Sequence, residues 1–370
     1  MSTAGRHDFE VAVVGAGVVG CAVALALARR GVSVTLLEAE PEPALCASGT
    51  NSGILHTGFD SVPGELETEL ILASAGAREP LLDGLGIPVL RCGAVMHGDR
   101  GRIEGLVAGA QSNGVVVNRP DEQTLEVPGE AVTDPVVYTR ALAAEAERQG
   151  AQLQVGFRLA AVESGMTLRA RDGRAAHAKV LVNCAGLFAD QVARLVGDES
   201  FAIYPRKGEF LVFDPPRDGP PEKIFLPVPS EQTKGVLVFP TIDGKTAAGP
   251  TAVDLEDKRD WSVRPQASEE ILAKAAAMYP ALKDAEPIAA YAGLRPAGRG
   301  VNYVIGRSRA CPGLVNVAAI RSTGLTASAG IAERVAGLVG ELGVDLHPPR
   351  DLIGGPPPRL ERPWWQKRAA

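Results

Sequence analysis

Residues 9–14, Phe9-Glu10-Val11-Ala12-Val13-Val14, form a nearly unbroken apolar run of strand length. Gly15-Ala16-Gly17-Val18-Val19-Gly20 follows, and residues 21–30 are then dominated by the helix formers Ala, Leu and Arg, with Gly31 as the expected helix stop. Residues 32–37, Val-Ser-Val-Thr-Leu-Leu, read as a second strand ending at Glu38. The pattern predicts strand, glycine turn, helix and strand in succession. Further on, residues 181–186 predict a strand running into another glycine turn. In residues 328–342 the spacing of Ile331, Val335, Leu338, Val339 and Leu342 predicts a helix with one core-facing stripe. Residues 201–290 differ in character. Their β-branched and aromatic runs (residues 210–213 and 235–239), broken by Pro and Gly, predict a mixed or antiparallel sheet. No internal repeat is visible.

Length and charge narrow the class. A chain of 370 residues is comfortable for two packed domains, and a net charge of −6 with 45% hydrophobic residues excludes a disordered chain, a coiled coil or a collagen-like fibre. The acidic balance also argues against nucleic acid as a partner. The five cysteines and five histidines show no metal-ligand spacing, so no metal is expected, and the scattered thiols suit a reducing cytoplasm. Residues 11–28 carry no charge, which approaches the length of a membrane span and ends in a signal-peptide-like Ala26-Leu27-Ala28. Gly15, Gly17 and Gly20 interrupt that run, however, and acidic Asp8 and Glu10 precede it, so a cytoplasmic chain is expected.

The glycine turn carries the first candidate chemistry. Gly15 permits a tight turn, Gly17 lets backbone approach a pyrophosphate, and Gly20 allows close helix–strand packing. The helix amino end offers N–H groups and partial positive charge to phosphate. Glu38, 18 residues past Gly20, is placed to accept the hydroxyl protons of an adenosine ribose, and its charge disfavours a 2′-phosphorylated dinucleotide. A second landmark spans residues 47–58, where Ser48, Asn51, Ser52 and Gly53 crowd together just before His56. Such a loop either hydrogen-bonds phosphate and lets a planar ring lie on backbone, or is a polar surface loop.

The fingerprint, Asn51-Ser52-Gly53-Ile54-Leu55-His56-Thr57-Gly58 and Pro63-Gly64 together resemble the D-amino-acid-oxidase-like superfamily of FAD enzymes. Further matches are Asp134-Pro135, Leu181-Val182-Asn183-Cys184-Ala185-Gly186, Pro205-Arg206-Lys207-Gly208-Glu209-Phe210 and Lys234-Gly235-Val236-Leu237-Val238. Gly249-Pro250-Thr251, Ala292-Gly293-Leu294-Arg295-Pro296, Val304-Ile305-Gly306 and Ser322-Thr323-Gly324-Leu325-Thr326-Ala327-Ser328 complete the series over nearly the whole chain. Within the superfamily the chain resembles the L-2-hydroxyglutarate dehydrogenases/oxidases and the catalytic subunit of glycerol-3-phosphate dehydrogenase. It departs from the second group in ending soon after residue 345. It departs from the first in Thr57-Gly58-Phe59-Asp60, where Ala-Gly and aromatic residues are more usual.

The resemblance implies an α/β protein (α+β overall). A Rossmann-like FAD domain would be assembled discontinuously from residues 1–75, 130–200 and 290–345, and a substrate domain with the second sheet from 76–129 and 201–289. Residues 346–370 form a Pro-rich tail, whose Trp364 and Trp365 either fold onto their own domain or touch a membrane face (peripherally, at the inner membrane) or a partner. FAD would lie on the glycine turn, with Ala185, Gly186, Gly293, Gly324, Leu325 and Thr326 joining Ser48, Asn51, Ser52 and Gly53 around it. Arg295 is expected at the flavin face as a planar fork for a substrate anion. His56 is an active-site base, a covalent flavin attachment point or a structural residue. Arg206, Lys207 and Arg321 are further candidate cations. The leading expectation is hydride transfer from a small anionic 2-hydroxy acid, L-2-hydroxyglutarate-like, to the flavin, with O2 or a quinone as the electron acceptor. The alternatives are sn-glycerol-3-phosphate oxidation, oxidation of an amine such as sarcosine, glycine or a D-amino acid, and a non-catalytic protein stapled by FAD.

Overall fold

The computed structural model describes residues 8–217, 219–229 and 235–366. Lys234 of the resemblance motif lies outside them, as do His7 and the two basic residues that follow Gln366. The opening pattern folds as its periodicity predicts: strand Phe9–Val14, helix Val18–Ala28 and strand Val34–Leu37. Gly15 sits at φ +103°, and a Cβ there would come within 2.5 Å of the Cys184 carbonyl oxygen, so only glycine fits. Gly20 is tighter still, with a Cβ falling 1.9 Å from the Gly15 oxygen. Helix and strand can therefore pack backbone to backbone, and the helix is buried nearly all round.

These elements belong to an eight-stranded sheet. Its central path runs Val304–Arg307, Leu314–Ala318, Ala175–Asn183, Phe9–Val14, Val34–Leu37 and Gln152–Gln154. All neighbours on this path are parallel except the edge strand Val304–Arg307. Helices Val18–Ala28, Pro135–Arg148 and Gly324–Gly340 pack together on one face, with Leu66–Gly84 against the last of them. The other face is covered by the antiparallel strands Leu159–Glu163 and Thr167–Ala170, which bury Leu168 and Phe157 against Ala12, Val14 and Leu181. Asp134 starts the middle helix by accepting hydrogen bonds from Val136 N and Val137 N, with Pro135 at its first position.

The second sheet is antiparallel apart from one parallel pair. Its longest strand, Ile203–Phe213, pairs over ten residues with Ala289–Gly298. Strand Ala289–Gly298 thus lies wholly in the second sheet, and the chain returns to the first sheet only afterwards. Helix Ala267–Met278 covers the outer face through Ile271 and Ala275, which pack on Leu211, Phe213 and Ala248. A three-stranded sheet, Ile54–Leu55, Ala131–Thr133 and Val89–Leu90, completes the set. No described helix is long and apolar enough to cross a membrane.

The tail folds back on its own chain. Arg350 donates to the oxygens of Ala28 and Gln149 (2.6 and 3.0 Å). Buried Glu145 accepts from Ile353 N (2.7 Å) and Gly354 N (3.3 Å). Trp364 and Trp365 are each 3% exposed, and Trp365 Nε1 donates to Asp243 Oδ2 at 3.0 Å. Buried in this way, the two rings fold onto their own chain, one of the alternatives left open by the sequence. Replacing Glu145 by Ala leaves two tail N–H groups without acceptors, and should lower unfolding stability in urea by about 2–4 kcal/mol.

Candidate active site

One cavity of about 670 Å³ runs from the first sheet to the second. At its far end are Gly15, Gly17 and Glu38; along its middle Ser48, Asn51, Ser52, Ala185 and Gly186; at its near end His56, Gly293, Arg295, Gly324 and Leu325. These are predicted site residues brought together from all parts of the chain. Three of the expected cofactor contacts do not reach the cavity. Gly20 serves helix packing, as its spacing suggested. Gly53, at φ +79°, lies on the Ala131–Thr133 strand, where a Cβ would come within 2.1 Å of Thr133 O; its role is strand pairing, not ligand contact. Thr326 is 1% exposed, and its hydroxyl accepts from His56 N (3.0 Å), so it positions His56 from behind the wall.

The far end suits a dinucleotide. Helix Val18–Ala28 begins at the cavity, and Val18 N donates to Ser48 Oγ (2.9 Å), leaving the Ser48 hydroxyl hydrogen available to a phosphate oxygen. Glu38 accepts from Ala16 N (2.6 Å) and Glu40 N (2.8 Å), tying the second strand to the glycine turn. Burial pushes its carboxyl up while these N–H groups oppose the shift. At the other end, helix Gly324–Gly340 also opens on the cavity. Thr323 does not cap it: its hydroxyl donates to Glu67 Oε1 (2.6 Å) and pairs with Tyr303 OH (2.7 Å). The helix amino end therefore keeps positive potential for an electron-rich ring edge. Two helix starts opening on the cavity, glycine turns and a terminal carboxylate fit FAD.

His56 rests on an acid that sequence reasoning missed. Its Nδ1 lies 2.9 Å from Glu130 Oε2, and Glu130, fully buried, also accepts from Thr57 N (2.7 Å) and Thr57 Oγ1 (2.9 Å). An ionised carboxylate only accepts, so this network assigns the proton to Nδ1 and leaves the lone pair on Nε2. The only signal in the sequence was an acid placed between a Pro-Gly turn and the apolar start of a strand.

The cations separate by strand geometry. Successive side chains of a strand face opposite ways. Arg206 borders the cavity, whereas Lys207, 1% exposed, points to the other face and donates to Asp260 Oδ2 and Ser262 O, both at 2.8 Å. That ion pair holds the Asp260 carboxyl at about 2. Lys207 is a structural cation, and its expected substrate role is corrected. Arg206 is held by Asp254 at 2.5 and 2.8 Å. Among the described residues Arg295, opposite it on the paired strand, donates only to the carbonyl oxygens of Arg206, Lys207 and Thr251, at 3.1, 3.2 and 2.8 Å. Burial, then repulsion from Arg206 and Arg321, draws its guanidinium down to about 10. Arg321 is exposed at the cavity edge, with no ion pair among the described residues. No described cluster of His, Cys, Asp and Glu could hold a metal.

Two large sheets closing on one cavity, with a glycine turn and a ribose-placed acid on the first of them, define the class as a flavoprotein. The chain belongs to the FAD dependent oxidoreductase (DAO) family, whose profile matches residues 10–338, and FAD is its cofactor. It is 28% identical over 346 residues to a glycerol 3-phosphate dehydrogenase of Caloramator mitchellensis, covering 88% of this chain and 72% of that protein. An L-2-hydroxyglutarate dehydrogenase of Escherichia coli (strain K12) is 26% identical over 270 residues, covering 66% and 64%. Among solved structures, the dithionite-reduced L-alpha-glycerophosphate oxidase of Mycoplasma pneumoniae with FAD bound superposes with a TM-score of 0.86 at 25% identity, over 95% of this chain and 99% of that one.

Lys207→Met should cost about 1–3 kcal/mol of stability by denaturant unfolding, because Asp260 is partly solvated. It should leave KM for an anionic substrate within about threefold of the parent value in steady-state kinetics.

Proposed function

We propose that this protein oxidises the secondary hydroxyl of a small phosphate ester of the glycerol-3-phosphate kind. The observation that carries the reading is Arg295, a part-buried guanidinium with no ion pair among the described residues, pressed by the like charges of Arg206 and Arg321. Such a cation is destabilised until an anion arrives, and a dianionic phosphate gains most from several convergent charges. The relatives that span most of the chain point the same way.

In this reading Arg295 orients the anion and His56 Nε2 takes the hydroxyl proton. Glu130 holds the imidazole in the required tautomer and offsets the imidazolium charge as it forms. FAD, when bound, supplies the two-electron acceptor for the departing hydride. His56 acts as a base in this scheme, so the flavin is held without a covalent link, and acid precipitation should release it into the supernatant. The His56–Glu130 pair also supports catalysis over a purely structural flavin, because a staple has no need of a buried base and its orienting acid.

One observation favours a second reading, a 2-hydroxy acid such as L-2-hydroxyglutarate. Asp254 already neutralises much of Arg206, and the remaining planar fork of Arg295 matches a carboxylate.

Anaerobic stopped-flow reduction by sn-glycerol 3-phosphate, L-2-hydroxyglutarate and sarcosine separates these substrates. The fastest bleaching is expected with the phosphate ester; bleaching by L-2-hydroxyglutarate alone selects the second reading, and bleaching by neither anion overturns both. Arg295→Lys keeps the charge but loses the fork, so kcat/KM should fall about 10–100-fold, chiefly through KM. Glu130→Gln should slow flavin reduction by about 100-fold or more while substrate affinity, read from flavin absorbance, changes little.

A further inference from the structure

The wall of the cavity beside Arg295 is built from an aromatic column whose outer member is in the tail. Gly208 and Phe210 share the cavity face of the Ile203–Phe213 strand, two residues apart and so separated by about 6.7 Å. The Arg295 guanidinium lies over Gly208, where a Cβ would come within 3.2 Å of Nη2. The Phe210 ring is therefore the next side chain along this strand face from the Arg295 head, placed to meet the carbon chain of an anion held there. Phe210 is fixed in turn. It stacks on Tyr291, its cross-strand partner, at 4.9 Å and 7°, and meets Phe239 edge-on at 6.4 Å and 88°. Tyr291 is backed by Trp364 edge-on at 5.2 Å and 82°. The Trp364–Gln366 turn is pinned by Trp365 to Asp243 and rests on the Ala47–Thr50 turn that carries Ser48.

Tyr291 is nearly fully buried and its hydroxyl has no hydrogen-bond partner among the described residues. Nothing polar fixes this ring, so its position depends on the two rings that sandwich it. Removal of Trp364 frees Tyr291 to tilt outward, and Phe210 follows into the vacated space.

We propose that Phe210 sets the length of substrate the cavity accepts, and that Trp364, acting through Tyr291, is the positioning residue that keeps this wall in place. The inference deepens, and rests on, the reading of a small anion clamped at Arg295.

The test compares kcat/KM, by anaerobic flavin bleaching, for sn-glycerol 3-phosphate and its homologue with one more methylene between the diol and the phosphate. The parent enzyme should prefer the shorter ester by about 10–200-fold, the range one methylene commands in an apolar pocket. Trp364→Ala should narrow that preference by about fivefold or more, by raising KM for the short ester and lowering it for the long one. Trp364→Phe, which keeps an edge against Tyr291, should restore it. An unchanged preference in a Trp364→Ala protein that carries its full FAD overturns the proposal. If Trp364→Ala does not fold, Phe210→Val opens the wall directly, and an unchanged preference there overturns it equally. Failure of both phosphate esters to bleach the flavin would instead count against the substrate assigned above. The ratio is then taken between L-lactate and L-2-hydroxyglutarate, read from flavin absorbance perturbation on binding as well as from bleaching, and the same two outcomes decide.

Discussion

The contact on which the site depends is the seating of strand Ala289–Gly298 against the Ala47–Thr50 turn. At Gly293 a Cβ would stand 2.9 Å from Thr50 O, so a side chain would push the second sheet off the first. With glycine there, the strand lies flat on the turn, and Gly208 opposite it leaves room for the Arg295 head. The same placement puts Arg295 and His56, 239 positions apart in sequence, on one cavity. Two large elements are fixed relative to each other by backbone contact, where little can flex, and not by long side chains.

Around that contact the charges are sorted by how they are compensated. Glu130 and Lys207 are both buried, and each is surrounded by donors or acceptors that complete its shell. Glu209, fully buried, takes the guanidinium of Arg264 and the hydroxyl of Thr251. Arg295 is the exception: its partners are carbonyl dipoles, which orient the guanidinium without cancelling its charge. A cation held so rigidly and left electrostatically unsatisfied is preorganised for an anion, because the desolvation cost is borne in folding and not on binding.

What the sequence made legible was local. The first strand, glycine turn, helix and acid lie within 30 residues, and each has one conformation that satisfies it, so Gly15, Gly17 and Glu38 could be assigned directly. The Arg206–Lys207 pair shows where such reading stops. As neighbours in sequence they looked like one basic patch, and only the strand's two-residue period sends them to opposite faces. That period was available in principle, but the residue types of 203–213 do not alternate apolar with polar, and only the burial of Lys207 beside half-buried Arg206 reveals it. Glu130 was invisible for another reason. Its partner is 74 positions away, and an isolated glutamate has no local pattern. The tail's prolines correctly excluded regular structure, yet its tryptophans find their places through Tyr291 and Asp243, far back in the chain.

The two ends of the cavity therefore answer to different physics. The cofactor end is made by backbone: glycines whose Cβ has no room, helix starts, and one carboxylate tied to main-chain N–H groups. Substituting there breaks the turn itself, which leaves little latitude for change. The opposite end is made by side chains projecting from a rigid sheet, namely Arg295, Arg206, Phe210 and Phe239, together with His56 from the small sheet. Those can be exchanged without disturbing strand pairing, because the ladder bonds run through the main chain. A fold divided in this way can hold one coenzyme constant while its second sheet is refitted for glycerol phosphate, hydroxyglutarate or glycine.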